Sequence, residues 1–136
     1  MKIAVDVMGT DYGPKVLVLG AVNAVKEYGC ETVLVGDEKT IRELLVKYGA
    51  DKNPKITIHH ASEVIAMDEH PAIAVKSKKD ASIVVAARLL RNKECDALVS
   101  SGSTGAAVAS ALFCVGRIKG VERPAIATPG SCFSSG

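Results

Sequence analysis

LVSSGSTGAAVASALF, residues 98 to 113, decides how the chain is read. With its neighbours it belongs to an uncharged run from residue 97 to 116, which invites a membrane-spanning reading. The Ser-Gly-Ser-Thr-Gly centre breaks that reading, because it leaves an apolar arm of about ten residues where a spanning helix needs roughly 20. The stretch instead reads as a buried strand from Asp96 to Ser100, a loop from Ser100 to Gly105, and a helix from Thr104 to Gly116. That helix is apolar nearly all round, so it belongs in an interior.

The same alternation runs back to the start of the chain. Lys2 to Val7 reads as a strand, and Pro14 suits the first position of a helix that runs to Tyr28 with Gly29 at its end. Glu31 to Gly36 is a second strand. Asp37 caps a helix with Ile41, Leu44, Leu45 and Tyr48 on one face, stopped by Gly49. Lys55 to His60 is a third strand, and SEVIAMDEHP, through residue 71, is irregular. Asp80 then caps a helix whose Ile83, Val84, Ala87 and Leu90 have helical spacing. Short links between alternating strands and helices predict an α/β fold, a mostly parallel sheet with helices on both faces. In such sheets ligands sit beyond the carboxyl ends of the strands. Two loops stand there, MGTDYGP after the first strand and SSGSTG after the fourth.

At 136 residues, with 48% hydrophobic and 24% charged side chains, the chain can build one domain with a core. A net charge of +2 does not suggest a dedicated nucleic-acid binder. Cys30, Cys95, Cys114 and Cys132 form no CxxC pair and no metal-ligand cluster with histidine, and read as reduced packing thiols. The first residues lack the apolar segment of a secretory signal, which points to the cytoplasm.

Within SSGSTG, small residues let backbone approach an anion, and hydroxyls and free N–H groups can donate to it. The spacing fits neither common nucleotide motif, and a tight turn with Ser103 or Thr104 as N-cap explains the same residues. The residues alone leave both readings open. In the first loop, Asp6 ends the strand and Asp11 follows five residues later. DVMGT at 6 to 10 is one residue from the DxDGT of haloacid-dehalogenase-type phosphatases, but Met8 stands where their general acid would be. Asp6 and Asp11 hydrogen-bonding loop N–H groups is at least as good a reading as metal binding by the pair. Lys76, Lys78 and Lys79, and then Arg117, Lys119 and Arg123, are basic clusters that either face solvent or neutralise an anion. No histidine has a Ser or Cys partner by spacing, so a hydrolase triad is not supported.

Three segments together resemble one family. MKIAVDVMGTDYGPK, MDEHPAIAVKSKKDASIVVAARLL and DALVSSGSTGAAVASALFCVGRIKGVERPAIA resemble, in order and spacing, the phosphate acyltransferases of bacterial phospholipid synthesis. The match covers residues 1–127, read as the N-terminal α/β part of such a domain. Residues 128–136 depart from the family, and the fold is expected to be truncated. Thr10, Lys76, Ala81 and Ser103 stand where the family usually has Gly, Arg, Ser and Asn; Ser103 shortens the reach of one contact, and Lys76 lacks the guanidinium fork.

The resemblance implies a fold like that of the isocitrate and isopropylmalate dehydrogenases and the phosphotransacetylases. It implies reversible formation of acyl phosphate from acyl carrier protein thioester and inorganic phosphate, without metal or cofactor. Gly102, Ser103, Thr104 and Gly105 are then placed near the phosphate or acyl carbonyl, with Ser103 and Thr104 as catalytic candidates. Lys78, Lys79 and Arg117 are the electrostatic candidates, and Asp6, Gly9 and Asp11 shape the cleft. A homodimer, a membrane-bound acyltransferase partner and no nucleic acid complete the expectation, with little activity in the 136-residue chain alone. A noncatalytic phosphate or nucleotide binding module is the alternative, followed by the phosphatase.

Overall fold

A computed structural model describes residues 1–130. Strand β1, Lys2–Asp6, leads to helix α1, Pro14–Tyr28; β2, Glu31–Gly36, leads to α2, Glu38–Lys47. Strand β3, Ile56–His60, is followed by α3, Pro71–Ser77, and α4, Ser82–Arg91. Strand β4, Ala97–Ser100, leads to α5, Thr104–Ser110, which continues into a π-helical turn, Ala111–Val115. All four strands are parallel, in the order β3-β2-β1-β4.

Local chemistry accounts for the boundaries. Gly29 ends α1 in the left-handed region at φ 68°, and its N–H donates to the Val25 carbonyl. The Asp37 carboxylate accepts from the Thr40 N–H at 2.9 Å and so caps α2. Alternation along the strands then sorts the core into layers. Val5, Val7 and Leu34 pack with Val18, Val22 and Val25 of α1 and Ile41 and Leu45 of α2. Ala4, Val33 and Val35 face the other way, onto Val85, Ala86 and Leu89 of α4. A further cluster joins Ile83 and Val84 of α4 to Ala74 and Val75 of α3 and Ala106 and Ala109 of α5.

Residues 71–77 form a helix, opened by Pro71 at its first position. Three expectations need correction. Asp80 does not cap α4, whose N-cap is Ala81 without a side-chain bond. A parallel bridge of Glu63 to Ala81 brings Asp80 beside Ser62, and its carboxylate accepts from the Ser62 N–H at 2.8 Å instead. Helix α4 is buried on more than one stripe because it lies between the sheet and the α3–α5 layer; Leu89 is buried whereas Leu90 is only half-buried. The helix after β4 is not wholly interior. Ala106, Ala109 and Ser110 are buried, but Phe113 is 48% exposed. Apolar surface is open on β4 as well, where Val99 is paired with Val5 and half exposed. Cys30, Cys95 and Cys114 are free thiols, and Cys132 lies outside the described residues.

Candidate functional site

The strand order places β1 beside β4, with β2 and β3 on the other flank of β1. The crossovers therefore diverge between β1 and β4, the position where open parallel sheets leave a crevice at their carboxyl ends. The two loops singled out by sequence flank that crevice.

Register builds the floor. Asp6 pairs with Ser100, so their side chains emerge on one face, the face covered by α4. Ser100 Oγ donates to Asp6 Oδ2 at 2.8 Å, and the Met8 N–H donates to Asp6 Oδ1 at 3.2 Å. The Gly102 N–H in turn donates to Ser100 Oγ at 3.3 Å, which ties the second loop to the first strand. Asp6 is 3% exposed. Burial pushes its carboxyl above the ordinary value, while the neighbouring Ser82 and Ser100 hydroxyls and the Met8 N–H pull it back. A carboxylate so enclosed is poorly placed to act as a nucleophile, which, with Met8 in the acid position, argues against the phosphatase reading.

Glycine permits the loops to meet. Gly9 has φ 73°, in the left-handed region, and a Cβ on Gly102 would stand 3.2 Å from the Gly9 carbonyl oxygen. Gly105 serves a different contact: a Cβ there would stand 2.6 Å from Cγ of Pro71, so α5 closes on the first turn of α3 only without a side chain. Ser103 Oγ accepts from the Ala106 N–H at 3.2 Å, the N-cap geometry, and its own O–H remains available to donate. Ser101, Thr104 and Gly105 are exposed at the mouth. The crevice beneath has a volume of about 10 Å³, roughly one water molecule's probe sphere. The floor is therefore too small for an anion the size of phosphate.

The cations are dispersed. Lys78 Nζ donates to the Val64 carbonyl at 2.9 Å and to Glu69 at 2.5 Å, and Val64 lines the crevice. Lys79 faces away, into a groove with Arg88 and Arg91. Arg117 is exposed and donates to the Glu122 carbonyl at 2.6 Å. Asp11 is exposed at the loop tip. The fold thus joins Asp6, Gly9, Gly102 and Ser103 around one crevice, leaves Lys78 outside the lining but bonded to the carbonyl of lining residue Val64, and leaves Lys79, Arg117 and Asp11 farther from it. Ser100, Ser82 and Pro71 are the participants that sequence reading did not single out as site residues; pairing the strand ends by register would have found Ser100. Among the described residues no group of three or more His, Cys, Asp or Glu is positioned for a metal ion, and no helix is long and apolar enough to cross a membrane.

Comparison with known proteins gives one consistent result. The family described as "Fatty acid synthesis protein" matches residues 1–135. A curated phosphate acyltransferase of Pelotomaculum thermopropionicum is 54% identical over 127 residues, 93% of this chain and 36% of the relative. Those of Dictyoglomus turgidum and Clostridium novyi are 53% and 49% identical over 128 residues, covering 94% and 93% of this chain and 38% of each relative. The chain spans a little over a third of the length of these relatives.

Proposed function

The chain belongs to the fatty acid synthesis protein family, and from that premise we propose that it forms one wall of an active site making acyl phosphate in phospholipid synthesis. The substrates are inorganic phosphate and an acyl group held as a thioester on acyl carrier protein. The observation that carries the reading is the close approach of Gly102 to Gly9, locked by the Asp6–Ser100 bond, at the divergence of the crossovers. It sets a hydroxyl-rich mouth where an open parallel sheet receives its ligand.

The chemistry asks for positioning more than for a covalent intermediate. An oxygen of hydrogen phosphate bonds to the thioester carbonyl carbon, the C–S bond breaks, and the departing carrier thiolate takes the phosphate proton. A protein assists by holding the anion in line and by donating hydrogen bonds to the oxyanion that develops on the carbonyl. The Ser103 and Thr104 hydroxyls suit those donors, with Gly102 and Gly105 leaving room for backbone approach. Lys78 is the best placed cation, and it would serve the phosphate by leaving Glu69. Lys79 and Arg117 would reach it only after rearrangement. Asp6, Gly9 and Asp11 shape the edge.

In the cell this reading places the protein in the cytoplasm as a homodimer that passes its product to a membrane-bound acyltransferase. Residues 128–136 are proposed to lie outside the shared N-terminal α/β part, and the 136-residue chain alone to turn over little. The test is acyl phosphate release from acyl carrier protein thioester and phosphate, using a polypeptide of the relatives' length that carries this segment. Thr104→Val should lower kcat by roughly tenfold or more; unchanged turnover removes Thr104 from the site.

A further inference from the structure

Among the described residues, Asp6 is the only charged side chain lining the crevice, and three chain segments are tied to it. The first is its own loop, through the Met8 N–H on Oδ1 at 3.2 Å. The second is SSGSTG, through the Ser100 hydroxyl on Oδ2 and the Gly102 N–H on that hydroxyl. The third is residues 63–65, reached through Ser82 at the start of α4. The Ser82 hydroxyl bonds the Asp6 carboxyl, and the Ser82 N–H donates to the Glu63 carbonyl at 3.1 Å. Val64 and Ile65, the next two residues, line the crevice.

The segments also touch one another. A Cβ on Gly9 would stand 3.4 Å from the Ile65 carbonyl oxygen, and one on Gly102 would stand 3.2 Å from the Gly9 carbonyl oxygen. Asp6 and Ser82 are 3% and 2% exposed, so water has little part in satisfying the carboxylate and protein donors hold it. An ionised carboxylate accepts on both oxygens, whereas the amide of asparagine offers one oxygen and one NH2 group. The carboxylate can therefore receive the Met8 N–H and both serine hydroxyls at once, and the amide cannot keep every link in the same direction.

We propose that Asp6 is a positioning residue for acyl transfer: acting through Met8, Ser82 and Ser100, it fixes the three segments relative to one another and so fixes the Ser103 and Thr104 hydroxyls at the mouth. The carboxylate itself stays clear of substrate, because the crevice it lines is too small for an anion the size of phosphate. Its effect on turnover rests on the acyl phosphate reading of the site, while its effect on the loops does not. Hydroxyls displaced by a fraction of an ångström still meet an anion at the mouth but no longer meet the developing oxyanion in line. Loss of the carboxylate therefore falls on kcat more than on KM.

The test has two arms. In the first, amide hydrogen exchange of the protein is read by NMR: Asp6→Asn should speed exchange at Gly102 about tenfold or more, with the Val33 and Leu34 amides of β2 within about twofold. In the second, acyl phosphate release is measured with a polypeptide of the relatives' length that carries this segment. Asp6→Asn should lower kcat by roughly ten- to a hundredfold with the KM for phosphate within about twofold, and Ser82→Ala should act in the same direction. Asp6→Asn with Ser100→Ala should lose no more than the larger single variant, because one acts through the other. Asp51→Asn, exposed after α2, should change neither arm. Unchanged exchange at Gly102, a lower melting temperature with kcat intact, or losses that multiply in the double variant would overturn the proposal. Absence of acyl phosphate from the unmodified polypeptide would overturn the acyl-transfer reading instead, and the exchange arm would still decide whether Asp6 fixes the loops.

Discussion

Ser100→Ala removes one hydroxyl that holds two loops together, and its cost should depend on pH. In the folded protein that hydroxyl donates to buried Asp6 at 2.8 Å and accepts the longer bond, 3.3 Å, from the Gly102 N–H. With Asp6 ionised, losing a donor to a charged group should cost about 1.5–3 kcal/mol. With Asp6 protonated, the lost bond is neutral and the cost falls to about 1 kcal/mol. The sign follows from burial. Because the folded Asp6 carboxyl lies above its ordinary value, the folded state holds that proton more tightly than the unfolded chain. The native protein therefore loses stability from this group as pH rises from the ordinary carboxylate value through the raised one. Ser100→Ala removes a contact that favours the ionised form, so it raises the folded value further and widens that window. Urea unfolding of both proteins at pH 7.5, and at the lowest pH where both fold, measures the difference. Repeating the pair in an Asp6→Asn background, which keeps an acceptor without charge, should give the smaller, pH-independent cost. A penalty below about 0.5 kcal/mol, or one equal at both pH values, would refute the role assigned to this bond.

Gly105→Ala should destabilise the fold by a net of up to about 2 kcal/mol, since overpacking against the Pro71 ring costs about 1–3 kcal/mol and better helix propensity returns about 1; calorimetry of the variant checks it, and stabilisation would show that α5 and α3 separate freely. Gly29→Ala should cost about 1–2 kcal/mol through its left-handed φ, read by urea unfolding. Lys78→Gln should flatten the acid side of the stability profile. Its ammonium holds the Glu69 carboxyl below the usual range, so that pair contributes above the unfolded carboxylate value and is lost as pH falls through the lower folded one. Thermal unfolding between pH 7 and 3 should show the native protein losing more than the variant.

The parallel sheet was legible in the sequence because short apolar runs alternate with capped helical stripes, and those signals are local. Asp37, Pro14 and Gly29 carry their roles within a few residues. The crevice was legible as two loops, MGTDYGP and SSGSTG, on one edge. What stayed hidden depends on pairing across the fold. Nothing local says that Asp6 lies opposite Ser100, and Asp80 has the sequence of a helix cap until the bridge of Glu63 to Ala81 gives it a better partner. Lys78 and Lys79 are neighbours in sequence, yet one bonds the Val64 carbonyl and Glu69 and the other lines a groove with Arg88 and Arg91. Whether the SSGSTG loop is a cradle or a turn was open for a physical reason: the Ser103 hydroxyl can cap α5 and donate to an anion at once.

The most direct measurement is an amide NMR titration of the protein with inorganic phosphate. Binding over the mouth of the crevice predicts saturable shifts at Gly9 and residues 102–105, reduced by Thr104→Val. Shifts confined to Lys76, Lys79, Arg88 and Arg91, or none at residues 102–105, would contradict a phosphate site between β1 and β4.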